Sequence, residues 1–159
     1  MWYSVDDNVL MYAREIAMQD MTKAEIREFL IGMVRTGKLA TIRADGRPHL
    51  APIWYTLDGD DLIFMTWHES VKGKNIRRDP RVSLCVDDEK PPFAFVIVEG
   101  EATIDEVTPE QRLKWSTEIG GRYMGADNAE AYGKRNAVEG ELIIRLKPTK
   151  IIAKKNVSD

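Results

Sequence analysis

Leu62-Ile-Phe-Met-Thr-Trp-His-Glu-Ser-Val-Lys-Gly-Lys-Asn-Ile-Arg-Arg-Asp-Pro-Arg81 changes its period halfway along. The first five residues form an apolar strand pattern that stops at Thr66. A short turn follows, then Ser70 opens a basic helix that Pro80 ends. The first amides of a helix lack internal partners, and its dipole is positive at that end. Ser70 can cap this helix, and Lys72 and Lys74 add full positive charge. The junction is therefore an anion site, able to hold a phosphate by backbone, hydroxyl and ammonium groups together. The chain as a whole carries 26 acids against 23 bases, a net charge of −3, so this cluster is not a by-product of a basic composition. The competing interpretation is a solvated basic face made of Lys72, Lys74, Arg77, Arg78 and Arg81. Thr66 likewise has a plain role open to it, as a β-former at a strand end.

Upstream, Met21 to Val34 reads as an amphipathic helix. Thr22 and Glu25 make a capping box, Ile26, Phe29, Leu30 and Met33 recur at helical spacing, and Gly37 is the expected end. Residues 1 to 20 are mixed and partly helical in pattern. Leu39-Ala-Thr-Ile-Arg43, His49-Leu-Ala-Pro-Ile-Trp-Tyr-Thr-Leu57 and Leu62 to Thr66 form three strands joined by turns at Asp45-Gly46 and Asp58-Gly59, an antiparallel meander. Pro52 cannot donate to a ladder, so the second strand is an edge there, or the sheet opens there. Such an opening suits a flat ligand.

Downstream, Arg81-Val-Ser-Leu-Cys-Val86 is a fourth strand and Asp87 to Pro92 a polar loop. Phe93 to Ile104 is a long fifth strand with a bulge expected at Gly100. Thr108-Pro109 starts a helix, Asn128 to Val138 is a second helical segment, and Glu141 to Ala153 closes the chain as a strand pair or one bent strand. Short strands without βαβ alternation favour a barrel over a doubly wound sheet.

The 159 residues suit one domain, 1–159, with 43% hydrophobic and 31% charged residues, an ordinary globular balance. The mild acidity argues against a general affinity for nucleic acid. Cys85 is the single cysteine, which excludes an internal disulfide and reads as a small core residue. His49 and His68 lie on different elements, so a metal site is not expected. No apolar run spans a bilayer, and Met1-Trp-Tyr-Ser-Val-Asp-Asp7 lacks a secretory pattern, so the expectation is a cytoplasmic protein without membrane contact.

The segments Leu39 to Leu50, Phe64-Met-Thr66, Ser70 to Val82 and Val98-Glu-Gly100 resemble the flavin-binding split β-barrel family, which includes pyridoxamine 5′-phosphate oxidases and oxidoreductases that use a deazaflavin coenzyme. The resemblance covers roughly residues 24 to 153, and Thr66 to Val82 is its most specific part. It implies an α+β fold built on an antiparallel six-stranded split barrel, with an N-terminal helix and a helical insertion at about 108–138. It also implies a homodimer with cofactor sites in the groove between subunits. Carried over by position, Thr66, Ser70 and Lys72 are phosphate ligands, with Met65, Val71, Lys74 and Asn75 close by. Ala51, Pro52, Ile53 and Trp54 line the ring system, mostly by main chain. The C-terminus lacks the arginine-rich signature with a histidine that marks pyridoxamine oxidases. Asn75 to Val82 and Arg122-Tyr-Met-Gly125 look more like the deazaflavin branch.

The resemblance thus implies an oxidoreductase that uses a deazaflavin coenzyme (F-420) to reduce an unsaturated small organic substrate. FMN is the alternative cofactor, and a non-enzymatic flavin or haem carrier is the third reading. Catalytic residues are not identifiable: His49 or Tyr55 is within the chemistry of a proton donor, but packing explains each. Trp54 and Trp67 read first as core or dimer-contact aromatics, Arg122-Tyr-Met as a helix end with Gly125 as its cap, and Tyr123 as a residue with a second, functional option.

Overall fold

The computed structural model describes residues 18–158. Of the mixed, partly helical reading of residues 1 to 20, the part over 1–17 lies outside them, and Gln19–Asp20 form a strand. The elements run β1 (Gln19–Asp20), α1 (Lys23–Ile31), β2 (Gly37–Ile42), β3 (Pro48–Ile53), β4 (Tyr55–Asp58), β5 (Asp61–Trp67), α2 (Val71–Arg78), β6 (Arg81–Asp88), β7 (Ala94–Asp105), α3 (Pro109–Met124), a 3-10 turn (Ala126–Asn128), α4 (Ala129–Asn136) and β8 (Glu141–Lys155).

All the strands join one antiparallel sheet in the order β3-β2-β6-β7-β8-β5-β4, with β1 added on β8. Its two ends, β3 and β4, are joined by Trp54 alone. A sheet whose end strands are separated by one residue must curl until those ends meet. The strand expected over His49–Leu57 is therefore two strands on opposite edges, and the barrel is split where Pro52 removes a ladder donor. Six strands have six residues or more, the number expected; β4 with four and β1 with two complete the sheet.

The inner face carries Leu39, Ile53, Tyr55, Leu62, Phe64, Leu84, Val86, Val96, Val98, Ile144 and Leu146, with Leu30 of α1 and Ile76 of α2 packed against them. Each such side chain contributes about 1.5–3 kcal/mol on burial. Alternate residues of β5 and β8 face the other way. Ile63 and Ile143 lie under Trp115 of α3, with Met65 and Val107 beside them. That two-sided burial explains why Leu62 to Met65 is uninterrupted apolar sequence.

Capping forms as expected at Thr22, Ser70 and Thr108, and Gly125, at φ 89°, caps the end of α3. The end expected at Gly37 is corrected: α1 stops at Ile31 with Gly32 as cap, and Gly37 begins β2. Gly37 is needed there for space, since a Cβ would lie 2.5 Å from Leu84 Cδ1. The β7–β8 pairing slips between Glu99 and Gly100, where the bulge was expected, and β8 is one long strand rather than two. A Cβ on Gly100 would sit 2.1 Å from the Lys147 carbonyl oxygen.

Candidate functional site

A cleft of about 370 Å³ opens beside the split. One wall is Pro52, Ile53 and Trp54, at the passage from β3 to β4. Met65, Thr66 and Trp67 come from the end of β5, and Ser70 and Lys72 from the turn and the first residues of α2. Ser116 and Ile119 of α3, Asn136 of α4 and Glu141 of β8 complete it. Seven of the eleven residues singled out by sequence are thus brought to one place.

The junction of β5 and α2 is tightly ordered. Ser70 Oγ accepts the Gly73 amide at 3.1 Å and shares a 2.8 Å hydrogen bond with Thr66 Oγ1. The Ser70 amide donates to Trp67 O, and the Lys74 amide to Ser70 O. The amides of Val71 and Lys72 are what remains of the first turn. Whichever hydroxyl donates to the other, one O–H of the Thr66–Ser70 pair stays available to a ligand. Gly73 permits this close packing: a Cβ there would lie 2.9 Å from Trp67 O. Lys72 is half-buried and, among the described residues, makes no hydrogen bond or ion pair. Its charge is felt at His49, whose protonation is disfavoured by burial, by Arg43 and by Lys72.

The other four singled-out residues lie outside the cleft wall. Ala51 sits on β3 opposite Leu39, and Val71 is exposed at the start of α2. Lys74 is taken by Glu69 at 2.7 Å. Asn75 is buried, donating to Thr41 Oγ1 at 3.0 Å, so it pins α2 to β2. The basic tail of α2 is structural as well. Arg77 donates to His68 O, Arg78 to Ile42 O and Asn75 Oδ1, and Arg81 pairs with Asp79 at 2.7 Å.

Trp54 stacks on Tyr123, with ring centroids 4.9 Å apart and planes 3° from parallel. The Tyr123 hydroxyl donates to Arg35 O at 2.8 Å and accepts the Tyr55 amide at 3.3 Å. Helix α3 thereby holds the wall that Trp54 presents to the cleft. Sequence reasoning missed Ser116, Ile119, Asn136 and Glu141, because they come from elements far along the chain that only the folded barrel brings near Thr66. Glu141 is half-buried, and burial raises its proton affinity, with Lys72 and His68 opposing.

The arrangement suits a phosphorylated ring cofactor. It offers one ammonium group, one hydroxyl proton and two helix amides beside a wall of Pro52, Ile53 and Trp54. Neither His49 nor His68 lines it.

Comparison with known proteins places the fold. The family model described as pyridoxamine 5′-phosphate oxidase matches residues 22–155. The chain therefore belongs to the pyridoxamine 5′-phosphate oxidase family, a flavin-binding split-barrel family that includes oxidoreductases. Among solved structures, a conserved hypothetical protein from Mycobacterium tuberculosis is 31% identical, with a TM-score of 0.75 and 86% of each chain covered. An F-420 reductase is 27% identical, with a TM-score of 0.60, covering 78% of this chain and 94% of that one. The haem storage protein HutZ from Vibrio cholerae shares the fold at 19% identity, with a TM-score of 0.66 over 83% of this chain and 94% of that one. No helix among the described residues is long and apolar enough to cross a membrane.

Proposed function

We propose that this protein is an oxidoreductase that binds the deazaflavin coenzyme F-420 in the cleft beside the split and reduces a conjugated small organic acceptor. The observation that carries this is the convergence of Thr66, Ser70 and Lys72 with Pro52, Ile53 and Trp54 in one cleft. When bound, the coenzyme supplies the hydride. The work of the chain is to bind, orient and shield. Lys72 and the amides of Val71 and Lys72 hold the phosphate, and the free hydroxyl of the Thr66–Ser70 pair fixes its direction. Ile53, Trp54 and Ile119 present apolar surface that keeps water from one face of the ring. Trp54 keeps its place through Tyr123. The similarity to an F-420 reductase at 27% identity supports the choice of cofactor. FMN is the second reading, favoured by the same cradle, because both cofactors carry a phosphate on a polyol arm. A second copy of the chain closing the groove fits the exposed position of Trp67 on the cleft wall.

Equilibrium titration of the purified protein with F-420 and with FMN tests this. One of them should bind, and Lys72→Ala should weaken that binding by about 1.5–3 kcal/mol, the scale of a charged hydrogen bond. Unchanged affinity in that variant would remove the phosphate from this position.

A further inference from the structure

Of the twelve residues that line the cleft, two are charged, Lys72 and Glu141. The carboxyl of Glu141 has no hydrogen bond or ion pair among the described residues, although Lys72 and His68 are both close enough to act on it electrostatically. It stands at the first residue of β8, paired in register with Trp67 and anchored by its amide to Val138 O. Its position is therefore set by the sheet and not by a flexible loop. With Glu141 ionised, the side chains of the cleft sum to zero, and the positive end of α2 is the remaining attraction, roughly half a charge.

Such a balance treats two kinds of phosphate differently. A phosphodiester carries one negative charge at neutral pH. A phosphomonoester carries about −1.5 to −2. Against the remaining half charge the first is left about half a unit uncompensated, and the second about 1 to 1.5 units. The second brings an added charge that nothing in the cleft matches, and it brings it close to the Glu141 carboxylate.

We infer that Glu141 is a specificity-determining residue that biases this cleft toward a cofactor joined through a phosphodiester and against one ending in a phosphomonoester dianion. The inference rests on the cofactor site proposed above. F-420 is of the first kind and FMN of the second, so Glu141 becomes the residue that separates the two candidates. Burial raises the proton affinity of Glu141, so a dianion can be admitted if the carboxyl takes up a proton first. The charged groups that face it are Lys72 of α2 and His68 of the turn before α2. Nearby, Lys74 is neutralised by Glu69, and Arg77 is engaged with the His68 carbonyl. Ser116 of α3 and Asn136 of α4 face the same space and do not titrate.

The test is the pair of dissociation constants for F-420 and FMN at neutral pH in the wild-type protein and in Glu141→Gln, an isosteric change that a thermal melt can show to be folded. Removing one nearby unit of charge should strengthen FMN binding more than F-420 binding, raising the FMN-to-F-420 affinity ratio about three- to tenfold. Calorimetry in two buffers of different ionisation enthalpy gives a second readout. FMN binding should take up more protons in the wild type than in Glu141→Gln, with His68→Gln as a background that leaves this difference in place. An unchanged ratio in Glu141→Gln, or equal proton uptake in the two proteins, overturns the role of Glu141 while leaving the cofactor site intact. Failure of both cofactors to bind the wild type, or full binding by Lys72→Ala, overturns the cofactor site itself.

Discussion

Helix α1 has no basic residue in its last turn, and its terminal carbonyl groups are met from far along the chain. Arg122 donates to Ile31 O at 2.6 Å, Leu30 O at 2.7 Å and Met33 O at 2.9 Å. The buried Tyr55 hydroxyl adds a bond to Leu30 O at 2.7 Å. A guanidinium with several donors in one plane is suited to three acceptors, and its charge complements the negative end of the helix. Arg122→Ala should therefore destabilise the protein by about 2–4 kcal/mol, because the partly buried carbonyls lose their donors. Arg122→Lys should recover only part of that, and denaturant unfolding of both variants measures the difference. The sequence showed Arg122-Tyr-Met-Gly125 as a helix end, which it is. What Arg122 and Tyr123 reach was not legible, because their partners lie 88 to 92 residues earlier or at Trp54 and Tyr55.

At the scale of elements, local signals did well where the deciding atoms are close in sequence. The capping boxes at Thr22 and Thr108, the cap at Ser70 and the turns at Gly46 and Gly59, both with positive φ, needed only neighbours within a few residues. The hairpin of α3 and α4 depends instead on small residues at contacts that no local pattern announces. A Cβ on Gly133 would lie 2.1 Å from Thr117 Oγ1, and the Gly133 carbonyl accepts the Ser116 hydroxyl at 2.9 Å. Alanine is the better helix former in isolation, yet Gly133→Ala should cost about 1–3 kcal/mol here through overpacking. Because Ser116 lines the cleft, the same variant should weaken cofactor binding as well as lowering the melting temperature. A rise in melting temperature would mean that helix propensity outweighs the contact. The break at Trp54 is the other case. A run from His49 to Leu57 with one proline reads as one strand, and only the closure of the barrel requires its halves to sit on opposite edges.

For the whole molecule, charge is spread as local pairs, and this sets its behaviour with pH. Hydrogen bonds from Lys155 and from the Thr22 amide bring the Glu25 carboxyl down to about 2 from its ordinary 4.5. Arg81 brings Asp79 down to about 2 from 3.8. A depressed carboxylate favours the folded state fully above its unfolded value and loses that effect as pH falls through the folded one. The share of these two carboxylates should thus be lost progressively as pH falls from about 5 to 2, read as a falling melting temperature. Lys155→Met should remove the largest single contribution to the share of Glu25, which ties α1 to the end of β8, and flatten the curve. Glu141 works with the opposite sign. Its raised value favours the folded state at low pH, and that contribution fades as pH rises from 4.5 through the folded value. Arg145 is a third kind of group. Burial opposes its charge, but Asp105, Asp58 and Asp61 around it more than restore its hold on the proton, so it stays charged throughout.

From the chain alone came the helix starts, the tight turns, the bulge at Gly100 and the strand-to-helix junction of Thr66, Ser70 and Lys72. Each rests on backbone geometry and hydrogen bonds spanning a few residues, which residue type and spacing encode directly. The folded molecule decided which edge each half of the split strand joins, which aromatic holds Trp54, and that a carboxyl from β8 faces Lys72 across the cleft. Those depend on how a curled sheet brings together residues some 70 positions apart. Burial and electrostatic fields between such residues are properties of space, and no local pattern carries them.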